Sequence, residues 1–284
     1  MTGRQTRFTE LVGCVWPVQL AGMGGGVGGP ELAAAVQAAG GLGMVSWGEE
    51  VPVPGCGVNF LVPFLDSADA IPDAANGAHV IEFFYGSPDC AIVEAARRAG
   101  PVVGWQVGSV DEGLAAAQAG CDYVVAQGTE AGGHVRGQAS LDELLPELLA
   151  QVRVPVVAAG GIATAARVAE LLERGADGVR VGTRFLVCPE ANAHDEYKDN
   201  LIQAAAADTV ITEWFGEGWP HAPHRVLRPA LDAAQRSGWR SPQPPHATVD
   251  RSVADMAQYA GTSVDAVTKR ETAAEVLADL VRLL

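Results

Sequence analysis

Short apolar runs of the kind that form β-strands alternate with alanine-rich segments of helical period from the first residues to about residue 190. Such alternation is typical of a parallel sheet whose strands are joined by crossover helices. Strands are predicted at residues 17–21, 42–46, 57–62, 80–84, 102–106, 123–126, 155–158 and 178–181. Helices are predicted at residues 30–39, 67–76, 88–99, 110–119, 141–151 and 165–174, whereas residues 51–57, between the second and third strands, are rich in proline and glycine.

Several predicted helices end in an Ala-Gly pair directly before the next strand, as at Gly40, Gly100 and Gly120. Glycine adopts the left-handed conformation that closes a helix C-terminus, so these pairs mark repeated helix-to-strand turns. A series of such units favours a closed barrel over an open sheet, because successive right-handed crossovers curl the sheet round on itself. The predicted fold is therefore an α/β protein, a TIM-type (β/α)8 barrel.

The character of the chain changes after residue 188, where the predicted barrel (1–188) ends. Residues 189–250 are rich in histidine, tryptophan, tyrosine and proline, with one helical stretch near 192–207, and are predicted to form an excursion packed on the barrel. Residues 251–284 are predicted to be a closing helical segment, because Val276, Leu280 and Leu283/Leu284 recur at helical spacing and form a core-facing stripe.

Composition narrows the class of partner. Lys and Arg total 19 against 34 Asp and Glu, a net charge of −15. A nucleic-acid or membrane partner is not expected, because both require clustered basic residues. The five cysteines include no C-x-x-C pair, and no disulfide framework or zinc site is predicted. The first ten residues lack the order of a signal peptide, so we expect a cytoplasmic enzyme acting on a small molecule; its oligomeric state is not predicted.

Two glycine motifs at the ends of the last two predicted barrel strands indicate a phosphate site. Gly160 and Gly161 follow the seventh strand, and Gly182 and Thr183 follow the eighth. Barrel enzymes bind phosphate at this place, using bare backbone N–H groups and a helix N-terminus. The Thr183 hydroxyl can donate to a phosphate oxygen, so a phosphorylated ligand or cofactor is predicted.

The first loop, residues 22–29, holds six glycines in eight positions, so its match to G-x-G-x-x-G is a weak signal. It is either a flexible strand-to-helix loop or a bare backbone surface against which a planar ligand lies.

A third glycine-rich loop carries Gln127, Glu130 and His134 out of the sixth strand. A histidine there lies at the catalytic face of a barrel and can titrate near neutrality. Taken alone, His134 is as well explained as a solvated loop residue, but its position beside the phosphate motifs makes it the predicted catalytic residue.

These segments resemble the nitronate monooxygenase family, formerly called 2-nitropropane dioxygenases. The likeness is carried by Ala-Gln-Gly-Thr-Glu-Ala-Gly-Gly-His at 126–134, Ala-Ala-Gly-Gly-Ile at 158–162 and Val-Gly-Thr-Arg-Phe at 181–185, and it covers nearly the whole chain. Membership implies a TIM-type barrel that holds FMN non-covalently. It places Met23 and Asn59 beside the flavin ring and ribityl chain, Gln127 and Gly132 near the ring edge, Gly160, Gly161, Gly182 and Thr183 at the phosphate, Val181 also at the cofactor, and His134 as the catalytic histidine.

Three positions depart from the family pattern. Gly22 stands where the family usually has proline, and Arg180 stands where glutamine is common. Val135 is inserted before Arg136, which alters the loop after His134 and therefore the shape of the substrate pocket.

The activity that the resemblance implies is oxidation of alkyl nitronates, or of nitroalkanes, with O2 to a carbonyl compound and nitrite. One alternative is an NAD(P)H-dependent FMN reductase of quinones or enoyl thioesters, because FMN-dependent enoyl-acyl-carrier-protein reductases share the glycine-histidine loop. Another is a flavin-binding protein without turnover. No metal site is predicted, since Pro223 lies between His221 and His224 and keeps them off a regular helix.

Overall fold

The computed structural model describes residues 3–75, 77–100 and 102–284. Its strands are β1 (Val18–Leu20), β2 (Met44–Ser46), β3 (Gly57–Leu61), β4 (Val80–Phe84), β5 (Val102–Val107), β6 (Tyr123–Gln127), β7 (Gly133–His134), β8 (Val156–Ala159), β9 (Gly178–Val181), β10 (Thr209–Thr212) and β11 (His224–Leu227). Its α-helices are α1 (Arg7–Val12), α2 (Pro30–Ala38), α3 (Ile71–Ala74), α4 (Cys90–Arg97), α5 (Val110–Gln118), α6 (Leu141–Gln151), α7 (Ala165–Glu173), α8 (Thr183–Leu186), α9 (Asp195–Gln203), α10 (Arg228–Ser237) and α11 (Ala273–Leu280).

Eight parallel strands form one sheet in the order β1-β9-β8-β6-β5-β4-β3-β2. Its two edges meet where the Leu20 N–H donates to the Leu42 carbonyl and the Leu42 N–H donates to the Val18 carbonyl, each at 2.9 Å. The sheet therefore closes on itself, and the predicted TIM-type barrel is confirmed. Each predicted strand is present, with bounds within two residues of those expected.

Most predicted helices occur where expected, but residues 67–76 differ. They form a 3-10 turn at Ala68–Ala70 and then the short helix α3. Pro72 explains the break, because proline has no N–H to donate and is tolerated only in the first turn of a helix. Position 76, the last residue of that predicted helix, lies outside the described residues. The crossover between β2 and β3 holds no helix, as expected.

Helix α1, which was not predicted from the sequence, lies at the amino-terminal end of the barrel. Phe8 is fully buried there and packs edge-on against Tyr123, with ring centroids 5.4 Å apart. Arg7 pairs with Asp177, just before β9, at 2.7 Å. The helix therefore covers the end of the barrel opposite the predicted site.

Residues 189–250 are tied to the barrel by a second sheet. Strand β11 pairs antiparallel with β10 and also with β7, which places His224 opposite His134. The predicted helix of this region is observed as α9. The proposed division into barrel, excursion and closing segment stays a prediction.

The closing segment is less helical than expected. Within residues 251–284, helix is confined to a 3-10 turn at Thr262–Ala266 and to α11. Around Gly261 the backbone packs directly against the loop after β6, because a Cβ atom there would lie 2.9 Å from the Glu130 carbonyl. The next N–H, that of Thr262, donates to the same carbonyl, so this hydrogen bond joins the two loops and does not belong to a helix. Helix α11 buries Val276 and Leu280 as predicted, but it ends at Leu280, and Leu283, predicted to face the core, is exposed. In the described part of the chain, no helix has the length and apolar character needed to cross a membrane.

Candidate functional site

A cavity of about 580 Å³ opens at the carboxyl ends of the barrel strands. All predicted site residues except one line it: Met23, Asn59, Gln127, Gly132, His134, Gly160, Gly161, Gly182 and Thr183. The exception is Val181, whose side chain packs in the main hydrophobic core and whose carbonyl accepts the Ala21 N–H. Neighbouring side chains on a strand point to opposite faces, so the inward orientation of Arg180 turns Val181 outward.

The glycine pair after β8 forms one wall of the cavity. Gly160 and Gly161 have φ values of +110° and +67°, a left-handed backbone that favours glycine. A Cβ atom at Gly160 would lie 3.1 Å from the Ala131 nitrogen, and one at Gly161 would lie 3.1 Å from the Glu130 Cβ. This wall is bare backbone, as a ligand phosphate requires for close approach.

The end of β9 contributes a hydroxyl to the same corner. The Thr183 Oγ1 accepts a hydrogen bond from the Gly261 N–H at 3.0 Å. Its own proton is therefore directed to a different partner, since one hydroxyl both accepts and donates. A Cβ atom at Gly182 would lie 3.3 Å from the Ala21 Cβ, so this turn also has room for backbone only. The residues at this corner fit a phosphate group.

The first glycine loop is held in place by residues of the excursion. The Asn192 side-chain amide donates to the Gly26 carbonyl at 2.6 Å, and the Gln243 amide donates to the Gly25 carbonyl at 3.2 Å. Of the two interpretations of this loop, the structure favours a supported backbone surface that lines the cavity. The departure at Gly22 also has a steric reason, because a Cβ atom there would lie 2.6 Å from the Asn59 Cβ.

His134 lies in an aromatic environment at one side of the cavity. Its imidazole stacks on Trp219 with ring centroids 3.6 Å apart and an interplanar angle of 15°. Tyr85, His224 and Tyr259 surround it with centroids 5.3–5.8 Å away. Its Nε2 atom is buried and has no hydrogen-bond partner among the described residues. An unsatisfied buried polar atom is costly, so this nitrogen points to a ligand that completes the site.

Burial, and to a smaller extent the neighbouring His224, lower the pKa of His134 to about 3. The cause is desolvation, which disfavours the charged imidazolium. His134 is therefore a neutral imidazole near neutral pH. This corrects the expectation that it titrates close to neutrality.

His224 differs from His134 because both of its ring nitrogens are used. The Phe215 N–H donates to Nε2 at 3.3 Å, and Nδ1 lies 2.9 Å from the Ala222 carbonyl. The neutral ring therefore carries its proton on Nδ1. Burial lowers the pKa of His224 as well. Its ring is a structural support, and His134 alone of the two has a nitrogen free for chemistry.

Gln127 positions the loop that carries His134. Its Nε2 donates to the His134 carbonyl at 2.8 Å, and its Oε1 accepts from the Arg136 N–H at 3.1 Å. The amide spans the loop, and the insertion of Val135 is accommodated between these bonds, with the Val135 N–H donating to the Pro223 carbonyl. Gln127 thus borders the cavity, but both of these side-chain hydrogen bonds hold the loop.

Two features of the site were not found from sequence. Trp219 was not predicted, because nothing in the local sequence indicates that it stacks on a histidine far away in the chain. Arg180 was noted as a departure, but its buried partner Glu82 was not, since their pairing across the barrel interior follows from closure. A charged residue within an apolar strand, as at both positions, is the signal that could have found them.

The fold and the cavity at the carboxyl ends of its strands define a barrel enzyme whose site combines a corner of bare backbone with a histidine whose Nε2 is buried. A family model for nitronate monooxygenase matches residues 57–237. The chain belongs to the nitronate monooxygenase family, and it is an enzyme of the flavin oxidoreductase type.

The chain is also similar to individual proteins with different printed activities. The chain is 32% identical over 253 residues to a 5-hydroxy-7a-methyl-1-oxo-octahydro-1H-indene-4-carboxyl-CoA dehydrogenase of Rhodococcus jostii, which covers 84% of this chain and 70% of the relative. The solved structure of FabK from Thermotoga maritima is similar with a TM-score of 0.83 at 27% identity, over 98% of this chain and 96% of that one. Nitroalkane oxidase from Streptomyces ansochromogenes gives a TM-score of 0.76 at 28% identity, over 98% and 97%.

Proposed function

We propose that this chain binds FMN non-covalently and oxidises alkyl nitronates with O2 to a carbonyl compound and nitrite. The observation that carries the proposal is the buried, unpartnered Nε2 of His134, placed in the same cavity as the bare phosphate corner. The similarity to nitroalkane oxidase supports the same class of substrate.

FMN fits this cavity because its lining, which we call the cradle, combines a corner that can hold one phosphate with a flat surface of bare backbone. The phosphate would be held by the backbone at Gly160, Gly161 and Gly182 and by the Thr183 hydroxyl. The supported glycine loop, together with Met23 and Asn59, would line the position of the ring and ribityl chain. The flavin supplies the electron transfer when bound, and the protein supplies binding and orientation.

The preferred substrate is the preformed nitronate anion. A general base works best when its pKa lies near the working pH, and His134, with a pKa of about 3, is a weak base for removing a proton from a neutral nitroalkane. With its proton on Nε2, the neutral ring can instead donate a hydrogen bond to a nitronate oxygen. The aromatic residues around it exclude water from that contact.

Rapid mixing of the purified holoprotein with candidate reductants tests the proposal. We expect yellow protein with about one FMN per chain, one cradle holding one phosphate, whose flavin is bleached by a nitronate in the absence of O2 and recovers on adding O2, with nitrite as product. Colourless protein that gains no flavin spectrum on adding FMN would overturn the cofactor. Bleaching by NADH or NADPH but not by nitronate would replace the activity with that of a reductase, and bleaching by none of them would leave a flavin-binding protein.

A further inference from the structure

A charged pair lies beneath the cavity, in the interior of the barrel. Arg180 stands on β9, two residues before Gly182; its side chain is 5% exposed and lines the cavity. It forms an ion pair with Glu82 on β4, which is fully buried. Glu82 does not line the cavity, so the cation lies between the carboxylate and the ligand space.

The carboxylate of Glu82 is held by neutral donors as well as by Arg180. The Tyr123 hydroxyl donates to it at 2.7 Å, the Gln19 amide at 3.1 Å and the Asn59 amide at 2.9 Å. With these three donors, Glu82 does not depend on Arg180 alone for its hydrogen bonds.

Arg180 itself donates three hydrogen bonds to protein side chains. Its Nε donates to the Gln19 side chain at 3.3 Å, and its two terminal nitrogens donate to Gln106 and to Glu82. A guanidinium carries five N–H donors, so two remain after these contacts. Because the side chain borders the cavity, those donors are available to a ligand there.

Burying an ion pair is expensive, and apolar residues of similar volume often stabilise a protein better. Four buried polar side chains surround this pair in the barrel interior: Gln19, Asn59, Gln106 and Tyr123. A cation at the floor of a ligand cavity is thus better explained by the ligand than by stability.

We propose that Arg180 stabilises the negative charge that the flavin ring gains on reduction. This inference rests on flavin binding in the proposed function. A ring that takes up two electrons and one proton becomes an anion, and charge placed beside it shifts its reduction potential. A preorganised cation in a site with little water acts more strongly than one in solution.

Sulfite binding and the midpoint potential of the bound FMN test the proposal without any substrate. Sulfite adds to oxidised flavin and leaves the ring anionic, so its affinity reports the stabilisation of negative charge. The variants are Arg180→Gln, which removes the cation, Arg180→Lys, which keeps it, and Glu82→Gln, which removes the opposing charge. Tyr123→Phe is the matched control, since it alters the same buried network without changing a charge and does not line the cavity.

We expect Arg180→Gln to weaken sulfite binding by about tenfold or more, the scale of a lost charge-assisted hydrogen bond. The midpoint potential should fall by about 30 mV for each tenfold change. Arg180→Lys should retain most of the affinity, Glu82→Gln should bind sulfite more tightly than the wild type, and Tyr123→Phe should lie close to it.

Wild-type sulfite affinity and potential in an Arg180→Gln protein that retains FMN would overturn the inference and leave the proposed function intact. Wild-type protein that binds no flavin would instead overturn the proposed function. Because Arg180→Gln leaves a buried carboxylate unpaired, the double variant with Glu82→Gln provides a second route. Its sulfite affinity should still be below wild type, since the removed cation is nearer the cavity than the removed carboxylate. If neither variant folds, Glu82→Gln alone decides, and unchanged sulfite affinity there would overturn the inference.

Discussion

Among single residues, His134 could act either as a general base or as a hydrogen-bond donor, and its buried surroundings favour the donor. With its pKa lowered to about 3, it is neutral from pH 5 to 8, so it supplies a hydrogen bond across that range and no titration step. We expect nitronate turnover to show no rise or fall from this residue between pH 5 and 8, and steady-state rates on a preformed nitronate measure this directly.

Replacing His134 by Asn tests its role in turnover. The shorter amide cannot place a donor where the imidazole Nε2 lies, so we expect turnover of a preformed nitronate to fall by about tenfold or more, the scale of a lost charge-assisted hydrogen bond. Turnover of a neutral nitroalkane, for which His134 is a weak base, should be slow already in the wild type and should fall by no larger a factor. FMN retention should be unchanged, because the phosphate corner belongs to other strands. His221→Asn, at an exposed position on the same excursion, is the control, and near-wild-type rates on both substrates in His134→Asn would remove His134 from the mechanism.

At the scale of secondary-structure elements, the turn after β8 is the part of the proposed phosphate site that a single substitution can test. Gly161→Asp and Gly161→Asn form a matched pair, because both residues tolerate a left-handed backbone and have similar size. The carboxylate adds like-charge repulsion toward a phosphate, so we expect FMN to bind the Asp variant about tenfold or more weakly than the Asn variant. Fluorescence titration of apoprotein with FMN gives both constants. Equal constants would place the phosphate elsewhere.

The barrel elements could be predicted from sequence because each depends on local information. Strands such as β6 and β8 are runs of mostly apolar residues, and Gly120 closes the helix before β6 by its own conformational freedom. The pairing of β7 with β11 could not be predicted, since it joins His134 to His224 across a long stretch of chain. The same holds for the Arg180–Glu82 pair, which the closed barrel brings together. Glycines near the ligand were identifiable, whereas the aromatic neighbours of His134 were not.

For the molecule as a whole, two buried neutral histidines link stability to pH. An unfolded histidine binds a proton below about pH 6.5, whereas burial lowers the pKa of His134 to about 3 and also lowers that of His224. The unfolded state therefore binds more protons as the pH falls below 6.5, and the free energy of unfolding decreases toward acid. Each such histidine contributes a slope of about 1.4 kcal/mol per pH unit within its window.

Urea denaturation of the FMN-saturated protein at several values from pH 7 to pH 5 measures this slope. We expect His134→Asn to lose stability less steeply with falling pH than the wild type, and His221→Asn to follow the wild type. Identical slopes for wild type and His134→Asn would mean that the imidazole at position 134 is already protonated in the folded protein.

Because of the second sheet, the two sides of the cavity are held by different parts of the chain, which would not be so in a barrel of equal repeats. The loop bearing His134 is paired with β11 and stacked on Trp219, both of which belong to the excursion, while the phosphate corner is built by the turns after β8 and β9. Substitutions at Trp219 or in β11 can therefore change the wall of the cavity that carries His134 while the turns after β8 and β9 stay as they are. Asn192 and Gln243 are the exceptions within the excursion, because they also hold the first glycine loop. If FMN binds as proposed, substrate preference can change through the wall that carries His134 without a change at the phosphate.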